Sequence, residues 1–192
     1  MKDINIMIVG VGGQGTLLAS RLIGNVGEKA GYQVKLSEVH GMSQRGGSVV
    51  TYVKLGEKVY SPVITKGEAD FIISFEKLEG ARYISCLKKD GTLIVNTQEM
   101  KPMPVITGAA EYPSDVLEEL KKKGVNVDSI DALSLAEQTG LSNSVNIVLM
   151  GRLSNYFEDI PLESWLTALG EVVAERFLEA NKKAFMLGRE VR

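Results

Sequence analysis

The chain has 192 residues, 44% of them hydrophobic and 24% charged, with a formal net charge of −2. Acids and bases are interspersed, which excludes the strong basic bias of a dedicated nucleic-acid binder and gives no ground for a membrane-surface role. A single cysteine, Cys86, excludes an intrachain disulfide and a four-thiolate iron–sulfur site, and a single histidine, His40, excludes a His-rich metal site.

Residues 4–9 are apolar and β-branched and read as a first strand. This pattern begins almost at residue 1 and leaves no room for a signal peptide, and no apolar run is long enough to span a bilayer, so the expected location is cytoplasmic. Glycines follow at 10, 12, 13 and 15. Leu17, Leu18, Arg21, Leu22 and Val26 then recur at helical spacing up to Gly31, and residues 32–37 read as a second strand. Short, fully apolar strands suit a parallel sheet covered on both faces.

Residues 38–47 are polar and glycine-containing and read as a loop. Residues 48–55 alternate as a strand, and Gly56-Glu57 looks like a turn into residues 58–60, which predicts an antiparallel hairpin added to the sheet. Residues 71–74 and 92–96 read as buried strands, with a helix over 76–87 between them. A helix over 113–123 is closed by Gly124, and a last strand follows over 125–130.

From residue 134 the chain reads as helical. Residues 143–157 are apolar nearly all round, which predicts a buried helix. One final helix is expected from Pro161, with Gly188 as its terminator. The expectation is one α/β domain over residues 1–192: a Rossmann-like, doubly wound, mostly parallel sheet with a β-hairpin addition and C-terminal helices.

Two segments carry candidate chemistry. Gly10, Gly12, Gly13, Gln14 and Gly15 satisfy the dinucleotide-binding spacing between a strand and a helix, and Glu38 stands where a ribose-binding acid would. The same glycines also let a strand turn sharply and pack closely on its helix without any ligand. The Gln14 amide, able to donate and to accept, can anchor a neighbouring loop instead. The second segment holds Glu38, His40, Ser43, Gln44, Arg45, Gly46 and Gly47. It follows the second strand and should emerge at the carboxyl edge of the sheet, where ligands bind in this architecture. Arg45 suits bidentate binding of a carboxylate or phosphate. Glu38 and His40 suit mutual orientation, contact with a partner chain, or a network internal to the loop.

Taken together, residues 10–15 and the run Ser37-Glu38-Val39-His40-Gly41-Met42-Ser43-Gln44-Arg45-Gly46-Gly47 resemble the gamma-type domain of the 2-oxoacid:ferredoxin oxidoreductases. The histidine-containing form of that run is similar to the indolepyruvate branch. Residues 69–76 resemble the family's next strand and following acid, and residues 146–151 its late helix. The resemblance implies a non-autonomous small subunit of an enzyme that decarboxylates aryl pyruvates on thiamine diphosphate. Electrons then pass through iron–sulfur clusters to ferredoxin, and the acyl group passes to coenzyme A. It further implies that thiamine diphosphate, its magnesium and the clusters reside in a larger alpha subunit, because this chain has one cysteine and no Gly-Asp-Gly followed by an asparagine pair. No tightly bound cofactor and no metal are expected on this chain. The competing readings are an NAD(P)-dependent oxidoreductase and a nucleotide-binding scaffold; a homodimer of the isolated chain stays open.

Overall fold

A computed structural model describes residues 2–39 and 47–191. In chain order the elements are β1 (Ile4–Val11), α1 (Thr16–Lys29), β2 (Gln33–Val39), β3 (Ser48–Gly56), β4 (Ala69–Ser74), α2 (Lys77–Arg82), β5 (Leu87–Asn96), α3 (Met103–Ile106), α4 (Val116–Lys122), β6 (Asn126–Ile130), α5 (Ala132–Glu137), α6 (Val145–Ser154), α7 (Leu162–Val172) and α8 (Leu178–Glu190). The strands form one six-stranded sheet in the order β2-β3-β1-β4-β5-β6. β1, β4, β5 and β6 run parallel, whereas β3 is antiparallel to both of its neighbours, β1 and β2.

β1 shows why the sheet is covered on both faces. Ile6, Met7, Ile8 and Val9 have no solvent exposure. Ile6 and Ile8 join a core with α1 and α6 on one face, while Met7 and Val9 join Leu117 and Leu120 of α4 on the other. Successive side chains of a strand point to opposite faces, so an unbroken apolar run requires two layers of helix. Each such side chain contributes about 1.5–3 kcal/mol on full burial.

The expected α/β architecture is present, with differences in detail: β2 runs on through Glu38 and Val39, which were expected in the loop, because both continue the ladder with Thr51 and Val50 of β3. The predicted hairpin joined residues 48–55 to residues 58–60. Instead β3 inserts between β1 and β2, and residues 58–60 form no strand. The backbone N–H of Val59 is taken by the Gln33 side chain at 2.5 Å, which draws this stretch onto the start of β2 without a ladder. The helix predicted over 76–87 is shorter, and Leu87 already belongs to β5.

The single final helix is two. Val173 and Ala174 are extended, and a short 3-10 turn separates α7 from α8. Two consecutive β-branched residues, Val172 and Val173, hold the helix less well there. Gly188 is not a terminator. It lies within α8 and is buried against α6.

Candidate functional site at the carboxyl edge of the sheet

The glycine loop joins β1 to α1. Gly15 is the N-cap of α1 in the left-handed conformation, φ 86°, and a Cβ there would lie 2.6 Å from Asn146 Nδ2. Asn146, at the start of α6 and 4% exposed, donates to the Gly15 carbonyl at 3.2 Å. The loop therefore packs onto α6, the late helix of the expected pattern.

Gln14 folds back over the end of β1. Its Oε1 accepts the Val11 N–H at 2.7 Å. Its Nε2 donates to Met100 Sδ at 3.2 Å and points to the Phe75 carbonyl at 3.4 Å. The next amide, Gly12 N–H, donates to Gly47 O at 2.9 Å. Two of the amides that would approach a pyrophosphate are thus bonded within the chain.

A cleft of about 310 Å³ opens between the first turn of α1 and strands β2 and β3. It is lined by Gly12, Gly13, Thr16, Leu17, Glu38 and Thr51 among others. Glu38 faces α1, sits opposite Thr51 in the ladder and accepts from Ser20 Oγ at 3.3 Å. The structure brings the glycine loop and Glu38 to one cleft, with Gly47 tied to its rim.

His40, Ser43, Gln44, Arg45 and Gly46 lie outside the described residues. The points that carry them, Val39 at the end of β2 and Gly47 before β3, are both at this edge. β3 separates β2 from β1 by one extra strand. Glu38 therefore lies about 9–10 Å from the line of β1 rather than about 4.8 Å, the spacing of adjacent strands. This weakens the dinucleotide geometry that the glycine spacing suggests. Calorimetry against NAD, NADH and NADP is expected to show no binding tighter than about 100 μM. A low-micromolar dissociation constant, roughly −8 kcal/mol, would restore the dehydrogenase reading.

Sequence reasoning missed a polar cluster beside the loop. Glu76, 1% exposed, caps α2 by accepting the Glu79 N–H at 2.9 Å. It also accepts the Met100 N–H at 3.2 Å and the Tyr112 hydroxyl. One carboxylate thereby lashes residues 100–112 across the carboxyl end of β4. Its capping role was legible as an acid just after a strand and before a helix. Its partners, 24 and 36 residues away, were not.

Burial first, and then the Glu76 carboxylate, push the Tyr112 phenol up. A raised folded value means that the unfolded state loses its proton first as pH rises. Stability should therefore hold below about pH 10 and fall above it. Alkaline melts of wild type and Tyr112→Phe check this; the variant should lose part of the fall.

A larger cleft of about 940 Å³ lies at the opposite edge, against Phe71, Lys88 and Tyr156. Size alone would favour it. The glycine loop that follows β1 and the end of β2 with Glu38 nevertheless meet at the smaller one, on the carboxyl edge where doubly wound sheets bind ligands. Among the described residues no three His, Cys, Asp or Glu side chains gather into a set able to hold a metal ion. Nor is any helix among them long and apolar enough to cross a membrane.

These features define an α/β domain of Rossmann-like architecture whose glycine loop is engaged by its own chain. Residues 5–191 match the family model described as pyruvate ferredoxin/flavodoxin oxidoreductase, and the chain belongs to that family. It is 43% identical to the indolepyruvate oxidoreductase subunit IorB of Thermococcus kodakarensis, over 98% of this chain and 95% of that protein. Its fold is similar to the crystal structure of the gamma subunit of a keto/oxoacid ferredoxin oxidoreductase from Geobacter sulfurreducens, with a TM-score of 0.72 at 23% identity, covering 97% of this chain and 96% of that one. The fold also matches part of the 2-oxoglutarate:ferredoxin oxidoreductase from Magnetococcus marinus, with a TM-score of 0.75 at 21% identity, over 98% of this chain but 31% of that one.

Proposed function

We propose that this chain is the small subunit of an indolepyruvate-type 2-oxoacid:ferredoxin oxidoreductase in the cytoplasm, and that its carboxyl edge completes a site on a larger partner subunit. The observation that carries the reading is the near full-length similarity to a protein named as an indolepyruvate oxidoreductase subunit. The Magnetococcus match supports a partner, since there the same fold occupies under a third of a longer chain.

The chemistry of the donors supports the division of labour. Cys86 is the only thiol and is only partly buried, so this chain's residues do not fit an iron–sulfur cluster. In this reading thiamine diphosphate, magnesium and the clusters belong to the partner, with coenzyme A and ferredoxin as co-substrates of the assembled enzyme. This chain supplies a shaped, charged wall.

The test is reconstitution. The purified chain is expected to show no turnover in an anaerobic assay with indolepyruvate, coenzyme A, thiamine diphosphate and an electron acceptor, and addition of the large subunit should restore it. Turnover by the isolated chain would overturn the proposal.

In the complex, Arg45→Ala should lower kcat/KM at least tenfold, about 1.4 kcal/mol. Melting of the isolated variant should match wild type, as is usual for substitutions away from a core. Unchanged turnover and assembly would show that Arg45 has no part in the site.

A further inference from the structure

Ser48 opens β3 immediately after Gly46-Gly47, and it is held from two directions. On the main-chain side, the Gly47 carbonyl accepts the Gly12 N–H at 2.9 Å, which joins the return arm of the hairpin to the glycine loop. On the side-chain side, Ser48 Oγ donates to Glu79 Oε2 at 2.5 Å and lies 3.2 Å from the Tyr83 hydroxyl. Glu79 is 6% exposed, and its other oxygen receives Arg82 Nε at 3.2 Å.

A carboxylate is costly to bury, and an apolar side chain at position 79 would fill the same space without that cost. Glu79 already donates its backbone N–H to Glu76, so α2 does not need its side chain for capping. What the side chain does is reach across to β3. Ser48 shares the sheet face of Val50 and Tyr52, on the α2 side, whereas the cleft residue Thr51 faces α1. Glu79 therefore grips the strand from behind the cleft. The two glycines before Ser48 have no side chains with which to fix the chain, so this grip sets where the arm meets Gly12.

We propose that Ser48 and Glu79, with Tyr83, are positioning residues. They fix the return arm of the β2–β3 hairpin against the glycine loop and so set the shape of the Glu38–Thr51 cleft for the reaction of the assembled enzyme. The proposal rests on the reading that the carboxyl edge serves that enzyme.

The experiment uses the complex with the large subunit, assayed at a temperature at which each variant retains the native emission of Trp165, the only tryptophan. Ser48→Ala should assemble with the large subunit and lose at least tenfold in kcat/KM. Ser48→Thr, which keeps the hydroxyl, should recover most of that loss. Glu79→Gln, which keeps an acceptor oxygen, should retain more activity than Glu79→Leu, and Ser48→Ala should cost little more in the Glu79→Leu background. If the Glu79 variants do not fold, the Ser48 pair alone decides, since it adds or removes a single methyl or hydroxyl.

Full activity of Ser48→Ala beside an impaired Arg45→Ala would overturn the positioning role and leave the functional reading intact. Full activity of both would overturn the positioning role together with the part given to the carboxyl edge in the assembled enzyme. A Ser48→Ala loss that Ser48→Thr does not recover would mark Ser48 as an ordinary packing position and overturn the proposal.

Discussion

Gly188→Ala is expected to destabilise the chain by about 3 kcal/mol, the upper end of overpacking effects. That corresponds to a fall in melting temperature of roughly 6–12 °C for a chain of this size. α6 and α8 cross so closely that a Cβ at position 188 would lie 1.9 Å from the Val148 carbonyl oxygen. The contact is reciprocal, since a Cβ at Gly151 would lie 1.9 Å from the Phe185 carbonyl oxygen. Backbone oxygens have no rotamer to escape into, so the helices must separate.

Trp165 provides the readout. It is fully buried, with its ring centroid 5.8 Å from Phe185 on α8 and 5.7 Å from Phe157. A thermal melt followed by its emission should shift together with the far-ultraviolet signal. An unshifted melt would mean that the two helices do not meet at these glycines.

Asp128→Ala should cost about 2–3 kcal/mol, below the full penalty for breaking a buried ion pair because Arg152 keeps some solvent contact. Asp128 lies on the edge strand β6 and receives Arg152 Nε at 2.8 and 3.0 Å and the Tyr156 hydroxyl at 2.7 Å. The side chains of Arg152 and Asp128 are 22% and 9% exposed. Arg152 also donates to the Val191 carbonyl, so one guanidinium connects β6, α6 and the residue that follows α8. The Asp128 carboxylate raises the Arg152 guanidinium further, and burial followed by the same carboxylate raises the Tyr156 phenol. Removing the acid leaves a half-buried cation and a phenol without their acceptor. Urea unfolding of Asp128→Ala against wild type measures the loss. A midpoint unchanged within error would show that the pair contributes nothing net.

Much of the sheet was legible because its strands are short apolar runs with no other stable reading. Ile6 to Val9 must lie between two layers, and they do; the buried helix read over 143–157 is present as α6 over Val145–Ser154, with Asn143, Asn155 and Tyr156 exposed at its ends. Strand neighbours were not legible. Residues 32–37 read as a strand from their own pattern, but nothing local says that β2 runs on to Val39 or that residues 48–56 will insert between it and β1. Gly56-Glu57 imitates a hairpin turn, and only the long-range pairing of Ile4 with Leu55 shows that the strand ends there. Gly188 imitates a terminator because close helix packing and C-capping select the same residue.

At the site, spacing exposed Gly10 to Gly15 and Glu38. The internal use of Gln14 was open in the chemistry of its amide, and its engagement of Val11 resolves it. Ser48–Glu79 and Asp128–Arg152 span 31 and 24 residues, and pairs of that kind leave no periodic trace.

The insertion of β3 also orders how the sheet can assemble. β2 touches the rest of the sheet only through β3, and β3 is held by eight register positions on β1. β2 therefore cannot join the rest of the sheet before β3 does, and like β6 it is an edge strand free to leave early. Backbone openings should be graded outward from β1, with the β2 amides exchanging through small local fluctuations and those of β1 through near-global unfolding. The arm that ends at Val39 thus belongs to one of the two edge strands, among the looser units of the sheet. The glycine loop that meets it is rooted in the tightest.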